Sequence, residues 1–199
     1  MSANASDLRS ERNAATRSKI LEAAWQLVRE HGLAALAMRD LGARVGMRAQ
    51  SLYSYFPSKH AIFDAMFAGA NRELAARTAG LDAIGEPDDR LRALARVFVE
   101  FCVEDPVRHQ LLFQRTIPGF EPSAESYQFA IDGVTRARAM VRACGISSQR
   151  AFDVFIALGS GLAAQQNANE PGGKRWVRLV DETTDMFLTT YRGKTRRNR

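Results

Sequence analysis

The sequence predicts an all-α fold of about nine helices, and three observations support this prediction. Apolar residues recur at the three- and four-residue spacing of amphipathic helices along most of the 199 residues. No segment alternates apolar and polar residues, as a half-buried strand does, over more than a few positions. Glycine and proline stand between the periodic segments, where helices are expected to end.

The first four predicted helices are compact and joined by short loops. The first is lined by Ile20, Ala24, Leu27 and Val28 and ends before Gly32, a typical residue after a helix C-terminus. Ser58 follows the break at Pro57 and is expected to cap the fourth helix through its hydroxyl. The predicted bounds of these helices are Asn13 to Glu30, Met38 to Val45, Arg48 to Tyr55, and Ser58 to Ala79.

Five further helices are predicted in the rest of the chain. Asp105 and Pro106 fit an N-cap followed by a first-turn proline, and Ser147 or Ser148 precedes the eighth helix. The predicted bounds are Asp88 to Glu104, Pro106 to Phe113, Ala124 to Ala143, and Lys174 to Arg192, and the eighth helix is predicted from just after Ser147 or Ser148 to Asn167. The predicted domains are 1–65 and 66–192, followed by a basic, disordered tail at 193–199.

Composition and cysteine usage exclude several protein classes. The chain has 46% hydrophobic and 25% charged residues, which is typical of a globular protein. It has no apolar run approaching the ~18 residues of a membrane span, and its polar N-terminus lacks the apolar part of a secretion signal. Cys102 and Cys144 stand far apart in apolar surroundings without companion ligands. We therefore expect a cytoplasmic chain with buried, reduced thiols, no metal, no cofactor and no membrane partner.

The positive charge is concentrated at the two ends of the chain. Residues 1–62 hold nine Lys and Arg against five Asp and Glu, whereas residues 63–191 hold fourteen against seventeen. The final eight residues, RGKTRRNR, add five cations, and the formal net charge is +6. A basic N-terminal module favours a polyanionic partner such as DNA, although a bias towards solubility would give the same pattern. The tail would add affinity for DNA of any sequence.

The segment GMRAQSLYSYFPSKH, residues 46–60, has the spacing of a helix-turn-helix. Two helices that cross at ~90–120° need a minimal side chain where they touch, and Gly42 supplies one. Gly46 suits the unusual dihedral angles of the corner. Leu41, Leu52 and neighbouring apolar residues are placed to hold the pair against the first helix. The alternative is a tight helical corner inside a core, without DNA.

The free side of the third helix carries side chains that can read or hold DNA. Gln50 can bond adenine with two hydrogen bonds, Ser51 can donate or accept at several bases, and Ala49 offers a methyl contact to thymine. Tyr53, Lys59 and the first amides of the fourth helix can hold phosphates, while Arg39 could reach a base or the backbone. The residues expected to contact DNA are Arg39, Arg48, Ala49, Gln50, Ser51, Tyr53 and Lys59.

These residues resemble the DNA-binding domain of the TetR family of bacterial transcriptional regulators. The resemblance runs through TRSKILEAAWQLVREHGLAAL and MRDLGARVGMRAQSLYSYFPSKHAIFDAM and covers about a third of the chain. It implies an all-helical homodimer whose N-terminal domains each bind one half of a near-palindromic double-stranded operator, and a variable C-terminal domain that binds a small-molecule effector. Two positions depart from the family pattern: Ala37 stands where a Ser or Thr cap is common, and His60 replaces a frequent acidic residue.

The last two helices carry mixed large and small apolar stripes that suit self-association. Paired with their copies they would form a four-helix interface, although the same stripes could fill the core of one protomer. The residues expected at the dimer interface are Phe152, Ile156, Gly159, Ala163, Val180, Phe187 and Leu188.

Aromatic and sulfur side chains of the fifth to eighth helices could line an apolar effector cavity. Simple core packing is the competing interpretation for each of them, and His109 is expected to be exposed unless it orients a ligand. The residues assigned to this site are Phe98, Phe101, Cys102, His109, Phe113, Phe129, Met140 and Phe155.

The function predicted is that of a ligand-responsive repressor that a small apolar or amphipathic molecule releases from DNA. A constitutive DNA-binding regulator or activator without a ligand is the alternative. An enzyme is not expected, because the sequence has none of the HExxH, GxSxG or Walker motifs.

Overall fold

A computed structural model of the chain describes the backbone of residues 2–197 and the side chains of residues 7–192. Nine α-helices and three short 3-10 helices form this described part, which contains no strand. The all-α fold predicted from periodicity is confirmed. The helices are α1 (Ser2–His31), α2 (Met38–Arg44), α3 (Ala49–Leu52), α4 (Lys59–Thr78), α5 (Pro87–Glu104), α6 (Pro106–Phe113), α7 (Ala124–Ala143), α8 (Gln149–Asn169) and α9 (Val180–Arg197).

Two helix starts differ from the predicted ones. The first helix begins at Ser2 rather than near Asn13, because the intervening residues include alanine, leucine, arginine and glutamate, which are good helix formers without proline or glycine among them. The last helix begins at Val180 rather than at Lys174, because a 3-10 helix at Val177–Leu179 precedes it. The predicted tail at 193–199 lies outside the residues whose side chains are described.

The chain divides into two compact units. The first unit comprises residues 1–69 and 110–126, and the second comprises residues 70–109 and 127–199. The division therefore falls inside α4, α6 and α7, and the segment 110–126 joins the N-terminal residues. The boundary predicted near residue 65 stays a prediction.

The core of the first unit is built from one apolar side of each of its first four helices. The predicted stripe of α1 is buried, and Leu41 of α2 and Leu52 of α3 are completely inaccessible. Phe56, Ile62 and Phe63 add the largest apolar surfaces. Burying side chains of this size stabilises a fold by about 1.5–3 kcal/mol each, before the entropy cost of ordering is subtracted.

The segment 110–126 packs on α4 through an aromatic ring and a carboxylate. The Phe120 ring centroid lies 5.9 Å from that of His60 and 5.8 Å from that of Phe63. Asp64 accepts hydrogen bonds from the backbone N–H of Ser123 at 2.7 Å, the Ser123 hydroxyl at 3.0 Å and the Ser126 hydroxyl at 2.8 Å. These contacts explain why a loop distant in sequence belongs to the first unit.

Helix capping follows the predictions from sequence. Ser58 accepts a hydrogen bond from the N–H of Ala61 at 3.0 Å, and Asp105 accepts one from the N–H of Arg108 at 3.1 Å. Ser148 caps α8 by accepting from the N–H of Ala151 at 3.3 Å. Ala37 precedes α2 and makes no side-chain cap, as the departure from the family pattern predicted.

The second unit is centred on α5, which packs against α8 and α9. Its apolar core is shared by these helices and α7. Among the described residues, three ion pairs join α5 to α9: Arg96 lies 2.6 Å from Asp181, Arg92 lies 2.7 Å from Asp185, and Arg192 pairs with Asp88. Exposed pairs of this kind add little stability, so the apolar core is what holds α5 to its neighbours.

Both cysteines are free and buried, as predicted. Burial raises the pKa of the Cys102 thiol to about 12 and that of the Cys144 thiol to about 11, so neither is a thiolate at neutral pH. Within the described residues, no helix is both long and apolar enough to cross a membrane.

Candidate nucleic-acid interface

A close backbone approach at Gly42 fixes the angle between α2 and α3. A Cβ atom at this position would lie 2.7 Å from the carbonyl oxygen of Met47 and 3.2 Å from the nitrogen of Ala49. The N–H of Met47 donates to the carbonyl of Gly42 at 2.8 Å, which closes the corner, and Gly46 within it has a φ of 69°. Both glycines are therefore required by the geometry of the turn.

The third helix is only one turn long and divides sharply into a buried and an open side. Leu52 is completely buried, whereas Arg48, Gln50, Ser51 and Tyr53 are exposed. Ala49 is half-buried because it adjoins Gly42. The structure therefore brings these predicted DNA-contacting residues together on one surface, where nothing in the first unit covers them.

The two outlying predicted contacts flank this surface along the chain. Arg39 is exposed in the first turn of α2, with its Nε 3.4 Å from Asp40. Lys59 is half-buried and opens α4, directly after the cap residue Ser58. Lysine at a helix start, beside amides that are free to donate, is a chemically suitable holder of a phosphate group.

Arg17 of α1 fixes the end of α3 and was missed by the sequence reasoning. Its guanidinium donates a hydrogen bond to the carbonyl of Tyr55 and lies 4.1 Å from the ring centroid of Phe56. Because the carbonyls after a four-residue helix need donors, this arginine stabilises the short rod. The sequence did contain a signal for this role, because Arg17 lies about one turn before Ile20, on the side of α1 that faces the core.

At its other end, α1 is tied to α2 by a bidentate ion pair. Arg44 donates to the two carboxylate oxygens of Glu30 at 2.7 and 2.6 Å. The hydrogen bonds from Arg44 lower the pKa of Glu30 below its usual value. These contacts at both ends, together with the buried stripe, position α2 and α3 relative to α1.

The residues expected at a dimer interface lie mostly inside the protomer. Phe152, Ala163, Val180, Phe187 and Leu188 are buried. A Cβ atom at Gly159 would lie 3.2 Å from the ring of Phe98, so this glycine faces α5 of its own chain. Ile156 alone of the set has a large exposed side chain, with 39% of its surface accessible. The difference from the expected surface stripe arises because α8 and α9 need these residues to close their own core.

The eight residues assigned to an effector cavity do not form a single lining. Met140 and Phe155 belong to the core around α5, and Phe98 packs against it. Phe101 and Cys102 are completely buried elsewhere on α5, and Phe129 lies under the guanidinium of Arg72 at 5.1 Å. Phe113 is 42% exposed and belongs to the first unit, not to the second with the others.

The expectation that His109 is exposed is wrong. Its accessible fraction is 3%, and the amide nitrogen of Asn167 lies 3.3 Å from its Nδ1 while donating to the carbonyl of Cys102 at 3.1 Å. Burial lowers the pKa of His109, because the charged imidazolium loses its hydration. The periodicity of α6 was too short to show which side of it faces inward.

Two open cavities of the second unit are lined by charged residues instead. One of about 520 Å³ is lined by Asp82, Arg90, Asp132 and Arg136, and Met140 also contributes to its lining. The other, of about 550 Å³, lies at the turn after α8, beside Glu170, Lys174, Arg175 and Arg178. Neither has an aromatic lining, and sequence reasoning singled out only Met140 among their residues.

Comparison with known proteins agrees with the geometry of the first unit. Residues 20–66 match the family model described as bacterial regulatory proteins, tetR family. This segment contains the corner at Gly42 and the whole of α3. A membership expected from the sequence alone is thereby supported by an independent comparison.

Two curated relatives match most of the chain. The HTH-type transcriptional regulator Rv1816 of Mycobacterium tuberculosis is 23% identical over 176 residues, which are 87% of this chain and 64% of that protein. The HTH-type transcriptional repressor DrrR1 of Streptomyces coeruleorubidus is 28% identical over 172 residues, 83% of this chain and 58% of that protein. The chain thus spans about three fifths of the length of these relatives.

The fold also resembles that of AibR, whose crystal structure was solved in complex with isovaleryl coenzyme A and operator DNA. The TM-score is 0.65, the sequences are 17% identical, and the match covers 88% of this chain and 98% of that one. The family match, the regulators among its relatives and this common fold lead to one conclusion: residues 20–66 of the chain carry the sequence pattern of the tetR family of bacterial regulatory proteins, and the likeness to AibR extends over the fold.

Proposed function

We propose that the chain is a transcriptional regulator that binds double-stranded DNA through α3. The observation that carries this proposal is the division of α3 into a buried Leu52 and an open surface of Arg48, Gln50, Ser51 and Tyr53. The corner at Gly42 holds this surface rigidly, as a helix that enters a major groove requires. Gln50 and Ser51 would read base edges, and Tyr53 and Lys59 would hold the phosphate backbone.

The regulator would act as a homodimer on a near-palindromic operator. One turn of helix reads too few bases to specify a site, and two copies placed about 34–36 Å apart would occupy successive major grooves. We assign the contact between copies to the outer faces of α8 and α9, where Ile156, Ala157, Gly161 and Met186 are exposed. The small residues Ala157 and Gly161 would allow helices of the two copies to approach closely, and Ile156 and Met186 would add apolar contacts.

A small apolar or amphipathic effector would release the protein from its operator. An effector that binds more tightly to the conformer with low operator affinity shifts the protein towards that conformer. The loss of operator affinity is limited by the difference between the effector's affinities for the two conformers. AibR, with its acyl coenzyme A ligand and operator DNA, supports this class of regulation in a protein of the same fold. The relative DrrR1, a transcriptional repressor, supports repression as the mode of action. Binding to an operator and release by an effector would both take place in the cytoplasm, where the chromosome lies.

A constitutive regulator without an effector is the second candidate. The observation in its favour is that Phe98, Met140 and Phe155 pack into the core of the second unit. Calorimetric titration with short- and medium-chain acyl coenzyme A thioesters and the free acids distinguishes the two. Binding that also lowers operator affinity supports the responsive regulator.

The DNA-binding proposal is tested by selecting bound fragments from random duplex DNA at physiological salt. We expect an enriched motif with two inverted half-sites about one helical turn apart. Recovery of fragments without a common motif would contradict specific binding. Recovery of a single half-site would contradict the dimer while leaving the assignment of α3 intact.

A further inference from the structure

We propose that the N-terminal extension of α1 is a second DNA-contacting element, in which Arg9 and Arg12 bind backbone phosphates flanking the operator half-site. This inference rests on the proposed function, since it places the extension beside DNA that α3 reads. It assigns a role to a segment that lies before residue 20, where the family match begins.

The extension is a helix without a packed side. Residues 7–15 are all exposed, although α1 continues without a break from Ser2 to His31. The buried stripe of α1 begins only at Ile20. An isolated helical segment of this length is marginal in water, so a partner that contacts it would also stabilise it.

Charges on the extension are separated by face. At about 100° per residue, Arg9, Arg12 and Lys19 lie within about 80° of one another around the helix axis. Asp7 and Glu11 lie on the opposite side. Although the segment has as many acids as bases before Thr16, it therefore presents a basic face and an acidic face.

One edge of the basic face, at Arg9, points the way that α1 faces its own domain, and Arg12 lies about 60° further round the helix. Arg9 lies on the same side of the helix as Ile20 and Leu27, which pack towards the other helices of the first unit. Beyond the end of that packing, the same side has no protein to cover it. A basic surface continued from the core side of α1 complements the negative charge of a duplex bound to α3.

The direction of α1 carries this face past the end of α3. Arg17 contacts the carbonyl of Tyr55 and the ring of Phe56, at the junction with α4, while Glu30 at the far end binds Arg44 of α2. Arg9 lies eight residues before Arg17, which is about 12 Å further along the helix axis. The extension thus projects beyond the junction that holds Tyr53 and Lys59, the residues proposed to hold phosphates.

The test compares the double variant Arg9→Ala/Arg12→Ala with two controls. Asp7→Asn/Glu11→Gln changes the net charge by the same magnitude but with the opposite sign, on the opposite face. Arg142→Ala/Arg150→Ala removes two exposed cations from the second unit and so changes the net charge as the Arg9/Arg12 variant does. Fluorescence anisotropy measures binding to the selected operator and to a scrambled duplex of equal length, each at several potassium chloride concentrations. Circular dichroism verifies that each variant is folded.

We expect the Arg9/Arg12 variant to lose affinity for both duplexes by a similar factor, and the magnitude of its salt slope to fall by about 0.9 for each phosphate contact removed. Both control variants should keep the slope of the unchanged protein. An unchanged slope in the Arg9/Arg12 variant, or an equal fall in the Arg142/Arg150 variant, would overturn the inference. Failure of the unchanged protein to prefer any duplex would instead overturn the proposed function.

Discussion

At the scale of single residues, the candidate interface depends on the contrast between neighbours in α3. Leu52 is buried and anchors the turn, whereas Gln50 and Ser51 beside it are exposed and have no packing role in the first unit. A substitution at Leu52 would therefore act through folding. Substitutions at the exposed positions would act through DNA. Comparing Gln50 of α3 with Lys59 of α4 separates base reading from phosphate binding.

Replacing Gln50 by alanine should relax the preference at one base pair of each half-site, at a cost of about 1–3 kcal/mol on the selected operator. Lys59→Ala should weaken binding to all sequences alike and reduce the salt slope by about one. Competition binding with a set of single-base operator variants measures both effects. Indistinguishable profiles for the two variants would contradict the assignment of Gln50 as a reading residue.

The buried His109 should make stability depend on pH. Its pKa is lowered in the folded state, so the unfolded chain takes up the proton first as the pH falls below about 6.5, the ordinary value. The free energy of unfolding should therefore decrease from pH 7.5 to 5.5, and His109→Gln should reduce this decrease. Urea denaturation at several pH values measures it, with His31→Gln, an exposed histidine, as the control. An equal pH dependence in both variants would disprove the role of His109.

At the scale of helices, local signals in the sequence determined what could be predicted. Gly32, Pro57 and the caps Ser58 and Asp105 end or start helices through their own backbone and side-chain chemistry, so those bounds were predictable. The corner of the helix-turn-helix was predictable for the same reason, because its two glycines are four residues apart. The early start of α1 was missed because Leu8 is the only large apolar residue among residues 2–12, so no apolar stripe marks this segment, which forms helix by propensity alone.

The cap of α8 should contribute measurably to stability. Ser148 accepts from the N–H of Ala151, and its replacement by alanine leaves that donor without a protein partner. We expect a loss of about 1 kcal/mol in the free energy of unfolding. Ser147→Ala, at an exposed neighbouring position, is the control and should change stability by less than about 0.5 kcal/mol. Equal losses in both variants would show that capping is not the cause.

At the scale of the whole molecule, the effector and dimer sites were the least predictable. A helical stripe of phenylalanine, leucine and valine can close a core, line a cavity or meet a second copy, and periodicity does not distinguish these uses. Phe152 and Phe187 illustrate this ambiguity, since both lie inside the core of their own protomer. Which residues remain at the surface depends on contacts between helices that are distant in sequence.

A negative charge introduced at position 156 should therefore dissociate the proposed homodimer. Ile156→Glu places a carboxylate on the exposed face of α8, where burial against a second copy would cost several kcal/mol. Light scattering after size-exclusion chromatography should show a monomer, and affinity for the two-site operator should fall towards that for a half-site. Ile131→Glu on α7 is a matched control, because this isoleucine is 43% exposed outside the proposed interface. A dimer that survives Ile156→Glu unchanged would exclude this face.

The anchoring of Phe120 and Ser123 on α4 has a practical consequence for dissecting the protein. A fragment that stops at Gly69 would lack the ring that packs on His60 and Phe63, and would leave the carboxylate of Asp64 without the donors it bonds. The unit proposed to read DNA is thus discontinuous in the sequence. An autonomous version would have to carry residues 110–126 by a designed linker, and simple truncation would yield a weakened fold.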